Sequence, residues 1–194
     1  MGDPAQDRLT ASQLPEGDVI RVLLEQHARI RVLFTDVRSA MGGHKRQAFD
    51  ELRALLAVHE TAEEMVLRPI SKGAAGEAVV SARNKEEEEA TKVLKDLERM
   101  DVASDLFGRK IAALEAMVRR HAENEEREEF PHVVAQCDPQ MRQSMGTALK
   151  GAESIAPTHA HPSTAGESAA AHMVVGPFIA LVDRARDALS RSDR

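Results

Sequence analysis

The sequence contains no tryptophan and no tyrosine, and its aromatic content of 3% comes from five phenylalanines. So few aromatic residues disfavour a β-rich fold, and they leave no Tyr or Trp relay for long-range radical transfer. A single cysteine, Cys137, cannot form an internal disulfide, which is typical of a reducing compartment. These absences favour a helical protein and disfavour a radical-generating reductase.

Strong positive charge and long apolar runs are also missing. The formal net charge is −6, and no Lys/Arg cluster stands beside aromatic residues that stack on bases. The most apolar late stretch begins at Ala169, is interrupted by Gly176-Pro177 and is shorter than the ~20 residues of a membrane span. The N-terminus lacks the apolar core of a signal peptide. We therefore expect a cytoplasmic protein that binds neither nucleic acid nor membranes.

Helical periodicity is present in four segments between residues 18 and 131, where apolar residues recur at steps of three and four. Four amphipathic helices with short links predict an all-α fold, an up-down-up-down four-helix bundle. We assign residues 18–132 to this bundle and interpret residues 1–17 as a flexible lead-in. Residues 133–194 are predicted to form a C-terminal extension, with a short helix, a linker rich in Pro, His, Ser and Thr, and a terminal helix.

A histidine motif occurs twice, as HETAEE from His59 and as HAENEE from His121, 62 residues apart. Residues four apart on a helix are neighbours on one face, and both motifs lie on the apolar seams. Polar residues occupy seam positions on all four helices, namely His27, His59, Glu63, Glu87, His121 and Glu125. On the third helix the assignment depends on the register, and a shift of one position would give the role to Glu86.

Polar side chains in a core need partners, because burying an unpaired charge costs several kcal/mol. Imidazole and carboxylate donors without a thiolate suit non-haem iron, and helical bundles hold pairs of iron or manganese ions with such donors. An interior network of His–Glu ion pairs without metal is the structural alternative. The flanking residues Glu60, Glu64 and Glu126 are interpreted as solvated helix charges, with an outer-partner role for Glu60 left open.

One histidine on the first helix, HxxxE on the second, one ligand on the third and HxxxE on the fourth resemble the hemerythrin-like, or HHE cation-binding, domain. The tail from APTHAHP resembles extensions of actinobacterial members. The resemblance covers residues 18–132 and implies a non-haem di-iron centre, with two iron ions joined by an oxo or hydroxo bridge. It implies that His27 and His59 bind one iron and that His121 and Glu87 bind the other. Glu63 and Glu125 would bridge them.

The third helix departs from the family pattern, since most members have histidine where this chain has Glu87. An anionic oxygen donor stabilises ferric iron, which disfavours reversible dioxygen carriage. We expect reaction with a small oxidant, first of all peroxide decomposition, or related O₂ or NO chemistry; the catalytic residues stay unassigned. The alternatives are an iron, oxygen or NO sensing or storage module without turnover and a structural protein without metal. A monomer or weak homodimer is expected.

Overall fold

The computed structural model describes residues 3–153, which are almost entirely helical and contain no strand. The predicted linker and terminal helix lie outside these residues. A π-helical segment, Glu63–Leu67, follows α3. The α-helices are α1 (Pro4–Ser12), α2 (Val19–Ser39), α3 (Gly42–Ala62), α4 (Arg68–Ala74), α5 (Glu77–Glu98), α6 (Asp105–Glu128), α7 (Phe130–Gln136) and α8 (Pro139–Glu153).

Local signals fix where the bundle helices begin. The Asp18 carboxylate accepts a hydrogen bond from the Ile20 amide (3.0 Å) at the start of α2, and the Ser104 hydroxyl accepts one from the Phe107 amide (3.2 Å) at the start of α6. Gly76, with φ of 96°, forms the turn before α5 in a conformation that favours glycine. Short turns make sequential helices antiparallel neighbours, so the predicted all-α, up-down-up-down bundle is confirmed.

The second rod of the bundle, formed by α3, the π-helical segment and α4, contains a wide turn. The Arg68 amide donates to the Glu63 carbonyl, five residues back, which is the π-helical pattern. Pro69 follows, and a proline inside a regular α-helix lacks one amide donor and clashes with the preceding turn. The helical path nevertheless continues to Ala74, because the wide turn before Pro69 accommodates it.

Two apolar clusters fill the core. One packs the first half of α2 against the π-helical segment, α4, α7 and α8. The other packs the second half of α2 against α3, α5 and α6 around Phe34, Phe49 and Phe107. On α2, His27 lies between Leu24 of one apolar cluster and Ile30 of the other. On α6, His121 and Glu125 lie after Leu114 of one cluster and before Phe130, in α7, of the other. The polar layer therefore lies inside the bundle, with apolar packing on both sides.

The residues on either side of the bundle pack against it. Pro4–Ser12 form a helix on α2, where Asp7 and Ala11 are buried, so the expectation of a flexible lead-in over residues 1–17 is wrong for this stretch. α8 contacts α2, α3 and the π-helical segment, and Arg142 donates to the buried Asp18 carboxylate (2.7 Å). None of the described helices combines the length and hydropathy needed to cross a bilayer.

Candidate metal centre

The six seam residues meet in the polar layer as two groups of potential ligands. The first group contains His27, His59, Glu63 and Glu125, and the second contains Glu63, Glu87, His121 and Glu125. In each group one ligand atom per residue lies within 4.8 Å of all the others, and all six residues are buried. We call these the first and second clusters. Because Glu63 and Glu125 belong to both, the clusters are adjacent.

The first cluster contains donor atoms that hydrogen bonding leaves unused. His27 Nε2 lies 3.4 Å from Glu125 Oε2, and His59 Nε2 lies 3.7 Å from Glu63 Oε1. Among residues 3–153, His27 Nε2, Glu63 Oε1 and Glu125 Oε2 have no hydrogen-bond partner. Buried polar atoms are nearly always satisfied, so three unsatisfied atoms at one point indicate a place for a cation.

Each imidazole is held on its other nitrogen by a polar side chain. His27 Nδ1 lies 2.9 Å from Glu126 Oε1, and His59 Nδ1 lies 2.6 Å from Gln26 Oε1. His121 Nδ1 lies 3.1 Å from Glu86 Oε2. When each Nδ1 hydrogen is donated to its acceptor, the Nε2 lone pair is directed at the cluster, as in metal-binding histidines generally.

The two glutamates that the register left open on α5 have different positions. Glu87 is buried and faces the second cluster, with its Oε1 3.5 Å from His121 Nε2. Glu86 is partly exposed and contacts His121 from the outer side, where Asn124 also donates to it (2.8 Å). The geometry therefore gives Glu87 the position of a potential ligand and Glu86 that of an outer partner.

The second cluster contains a guanidinium group. Arg68 Nη2 donates to Glu125 Oε1 (2.7 Å) and Glu63 Oε2 (3.3 Å) and also contacts Glu87 Oε1. Its Nη1 donates to both carboxylate oxygens of Glu129, at 2.8 and 2.7 Å. The side chain is 6% exposed. One buried cation thus contacts four buried carboxylates.

Burial and charge shift the proton affinities of these groups. Burial, together with the Glu125 charge, raises the pKa of Glu63 well above its usual value. Burial acts to raise the pKa of Glu125 as well, but His121 and Arg68 outweigh it and hold that pKa well below its usual value. Burial and the neighbouring His27 lower the pKa of His59 well below its usual value. A neutral His59 retains the lone pair that a metal ion needs.

A cavity of about 60 Å³ adjoins both clusters, since Glu63, Glu87 and His121 line it too. Its wall includes His27 and His59, and much of the rest is apolar, with Ile30, Phe34 and Leu114 among the lining residues. Glu60 also reaches this cavity, and its carboxylate accepts a hydrogen bond from the Thr91 hydroxyl at 3.1–3.2 Å. Burial and the Glu87 charge raise the pKa of Glu60 to about 7.

Several residues of the site carry no clear sequence signal. Glu126, interpreted from the sequence as a solvated charge, holds His27, with 24% of its side chain exposed. Glu60 holds Thr91. Arg68 and Glu129 are buried partners of each other and were not expected in the site. Pro69, directly after Arg68, is the available signal, because it disturbs the regular turn that would otherwise direct Arg68 elsewhere.

The donors of the first cluster fit a metal ion. Two imidazoles and two carboxylates are preferred donors for non-haem iron, and the two HxxxE pairs place them at neighbouring positions of their helices. When ionised, the four carboxylates around Arg68 carry more negative charge than one guanidinium neutralises, and the raised pKa of Glu63 reflects this excess. A divalent or trivalent cation would reduce this excess, which gives the site an electrostatic as well as a geometric reason to bind metal.

Comparisons with known proteins identify the fold and the family of the chain. No curated protein sequence shows significant similarity to the chain. A crystal structure of a hemerythrin HHE cation-binding domain-containing protein from Mycobacterium kansasii is similar, with a TM-score of 0.61 and 21% sequence identity over 69% of this chain and 85% of that one. This likeness shows a common fold.

A sequence model of the hemerythrin HHE cation-binding domain matches residues 18–133, which is more than half of the chain. The chain therefore belongs to the hemerythrin HHE cation-binding domain family, whose members bind non-haem iron.

Proposed function

We propose that the chain is a non-haem iron protein that reacts with a small oxidant and decomposes hydrogen peroxide. The observation that carries the proposal is the first cluster, where buried imidazole and carboxylate atoms without hydrogen-bond partners in the described chain converge next to a cavity. His27, His59, Glu63 and Glu125 would hold the first ion. Glu87 and His121 would complete the pair of ions that the sequence suggests, with Glu63 and Glu125 shared between them.

The size of the cavity limits the substrate. A volume of about 60 Å³ holds only a few molecules the size of water, which suits peroxide, dioxygen or nitric oxide better than a bulky organic substrate. Bound iron would supply Lewis acidity and electron exchange. In the overall reaction two peroxide molecules give two water molecules and one dioxygen, so one peroxide is reduced, the other is oxidised and no external reductant is needed.

The protein contributes orientation, exclusion of water and proton transfer. Glu126 and Gln26 fix the imidazoles of His27 and His59, and the apolar wall limits access of bulk water. Glu60 is our candidate for the group that exchanges protons with the substrate, because it lies in the cavity wall and is outside both clusters. Thr91 keeps its carboxylate in place.

The test combines iron analysis with peroxide turnover. We expect iron in the purified protein, near-ultraviolet absorption from a bridged ferric pair where both positions are filled, and oxygen evolution when peroxide is added. His59→Gln should weaken iron binding by at least about 100-fold, since even outer partners of metal ligands contribute 10–100-fold. The matched control is His132→Gln, at an exposed histidine, which should change neither iron binding nor oxygen evolution. A folded protein that takes up no iron would contradict the proposal.

A sensing or storage module without turnover is the second candidate. The first cluster draws its donors from α2, the second rod and α6, so an ion there would tie together separate parts of the bundle and make its stability depend on metal occupancy. Stoichiometric iron without oxygen evolution from peroxide would favour this candidate over catalysis.

A further inference from the structure

Arg68 distinguishes the two clusters. Both use Glu63 and Glu125, but three potential ligand atoms of the first cluster have no hydrogen-bond partner among the described residues, namely His27 Nε2, Glu63 Oε1 and Glu125 Oε2. The oxygens that face the second cluster already accept hydrogen bonds from Arg68, at Glu63 Oε2, Glu87 Oε1 and Glu125 Oε1. The two positions therefore present different surroundings to an incoming ion.

The wide turn explains how Arg68 enters the cluster. In a regular α-helix with 3.6 residues per turn, residues five apart are separated by roughly 140° around the axis, so Arg68 and Glu63 would lie on different faces. The π-helical segment from Glu63 to Leu67 closes one turn between these two residues. Arg68 is therefore brought to the same side of the rod as Glu63.

Glu129 holds the guanidinium in this position. Both of its carboxylate oxygens accept from Arg68 Nη1, and such charge-assisted bonds are about twice as strong as neutral ones. Glu129 is fully buried, so this bond is not screened by solvent. It lies at the junction of α6 and α7, outside both clusters, and so fixes Arg68 without being a potential ligand.

A second metal ion and the guanidinium compete for the same atoms. An ion in the second cluster would need oxygens of Glu87 and Glu125 that now accept hydrogen bonds from Arg68 Nη2. Two cations sharing these buried oxygens would also repel each other strongly, because screening inside a protein is weak. Arg68 therefore has to withdraw before a second ion binds.

We propose that Arg68 is a resident cation of the second cluster, so that the protein binds one metal ion tightly and accepts a second only when Arg68 withdraws. This inference rests on the proposed function only in placing a metal ion in the first cluster. Arg68 thereby controls how many metal ions the site binds. The paired centre suggested by the sequence is then the state reached at high metal concentration.

The experiment is an anaerobic titration of the whole protein with ferrous iron, followed by calorimetry and by metal analysis after desalting. In the unmodified protein we expect one ion to bind at least about tenfold more tightly than the second, since losing one charge-assisted hydrogen bond has an effect of this size. Arg68→Leu should bring the two affinities together, whereas Arg68→Lys, which keeps a cation, should preserve the difference.

The matched control is Arg142→Leu, which removes a buried guanidinium from its ion pair with Asp18, away from both clusters. The affinities for the two ions should keep their ratio in this variant.

If Arg68→Leu does not fold, a titration of the unmodified protein with Mn²⁺ still tests the proposal. The first equivalent should give the paramagnetic resonance signal of an isolated ion, and a spin-coupled pair from the first additions would overturn the proposal. Equal affinities for two ions in the unmodified protein would also overturn it. One tightly bound ion without peroxide turnover would leave it standing and refute the peroxide reaction alone.

Discussion

The imidazoles of the site are oriented by residues that resemble ordinary surface positions in the sequence. Periodicity identifies His27 and His59 because they fall on apolar seams, where a polar residue is conspicuous. Their partners Gln26 and Glu126 lie on the flanks of the helices, where polar residues are expected anyway. The potential ligands were therefore predictable from the sequence, whereas the groups that direct them were not.

Glu126 provides a test of this orienting role. Glu126→Ala removes the acceptor of His27 Nδ1 and should weaken binding of the tight metal ion by about 10–100-fold, the usual cost of losing an outer partner. Glu126→Gln retains an acceptor oxygen and should lose less. Glu88→Ala, at an exposed position of α5, should leave the affinity unchanged in a ferrous iron titration. An unchanged affinity in Glu126→Ala would show that His27 does not depend on this contact.

Cys137 gives a prediction for pH dependence. Burial raises the pKa of its thiol to about 11 from an ordinary value of 9.0, and the thiolate is the reactive form. At pH 8 the folded protein should react with iodoacetamide about 100-fold more slowly than the urea-unfolded chain, from the thiolate fraction alone. The rate should increase as the pH approaches 11, and mass spectrometry of the alkylated cysteine measures it. Equal rates in the folded and unfolded states would show that the thiol is not buried.

At the scale of the elements, the sequence predicts the four long helices better than their connections. Apolar spacing sets helix faces through local geometry, so α2, α3, α5 and α6 follow from the pattern. The wide turn before Pro69 depends on how the second rod packs and on the Arg68–Glu129 pair 61 residues apart in the chain. Such a contact between distant positions leaves no periodic trace, so beyond the local signal of Pro69 the entry of Arg68 into the site could not be predicted.

Packing of α8 against the bundle can be tested at a glycine. A methyl group on Gly146 would meet the backbone carbonyl of Gly17 and approach the Val19 amide to 3.1 Å, so Gly146→Ala should destabilise the protein by about 1–3 kcal/mol through overpacking. Gly108→Ala on α6 is the matched control, because nothing lies within 4 Å of the added carbon. It should stabilise the helix by about 0.5–1 kcal/mol. Urea unfolding measures both changes, and a loss of stability in Gly108→Ala equal to that in Gly146→Ala would refute the packing argument.

At the scale of the whole molecule, helices outside the bundle extend the network of the site. Arg31 donates to the buried Asp7 carboxylate of α1 (2.8 Å) and to Glu126 (3.0 Å), and Glu126 in turn holds His27. α1 was missed as an element because a short polar helix has little hydrophobic periodicity, although Asp3 caps it and Pro4 occupies its first turn. The first cluster is thus supported by a chain of ion pairs that extends to the N-terminal helix.

Metal removal should therefore affect the stability of the entire bundle. An ion in the first cluster would bind four buried residues that come from different helices, so it would stabilise the folded state. A ligand at 100 times its dissociation constant stabilises the folded state by about 2.7 kcal/mol. For a chain of this size each kcal/mol changes the unfolding midpoint by about 2–4 °C. Chelation should thus lower the calorimetric midpoint by roughly 5–10 °C, and ferrous iron should restore it. In His59→Gln the chelator should have little effect, because the ion is already lost. A midpoint that is the same with and without chelator in the iron-loaded protein would mean that the ion does not join the helices of the bundle.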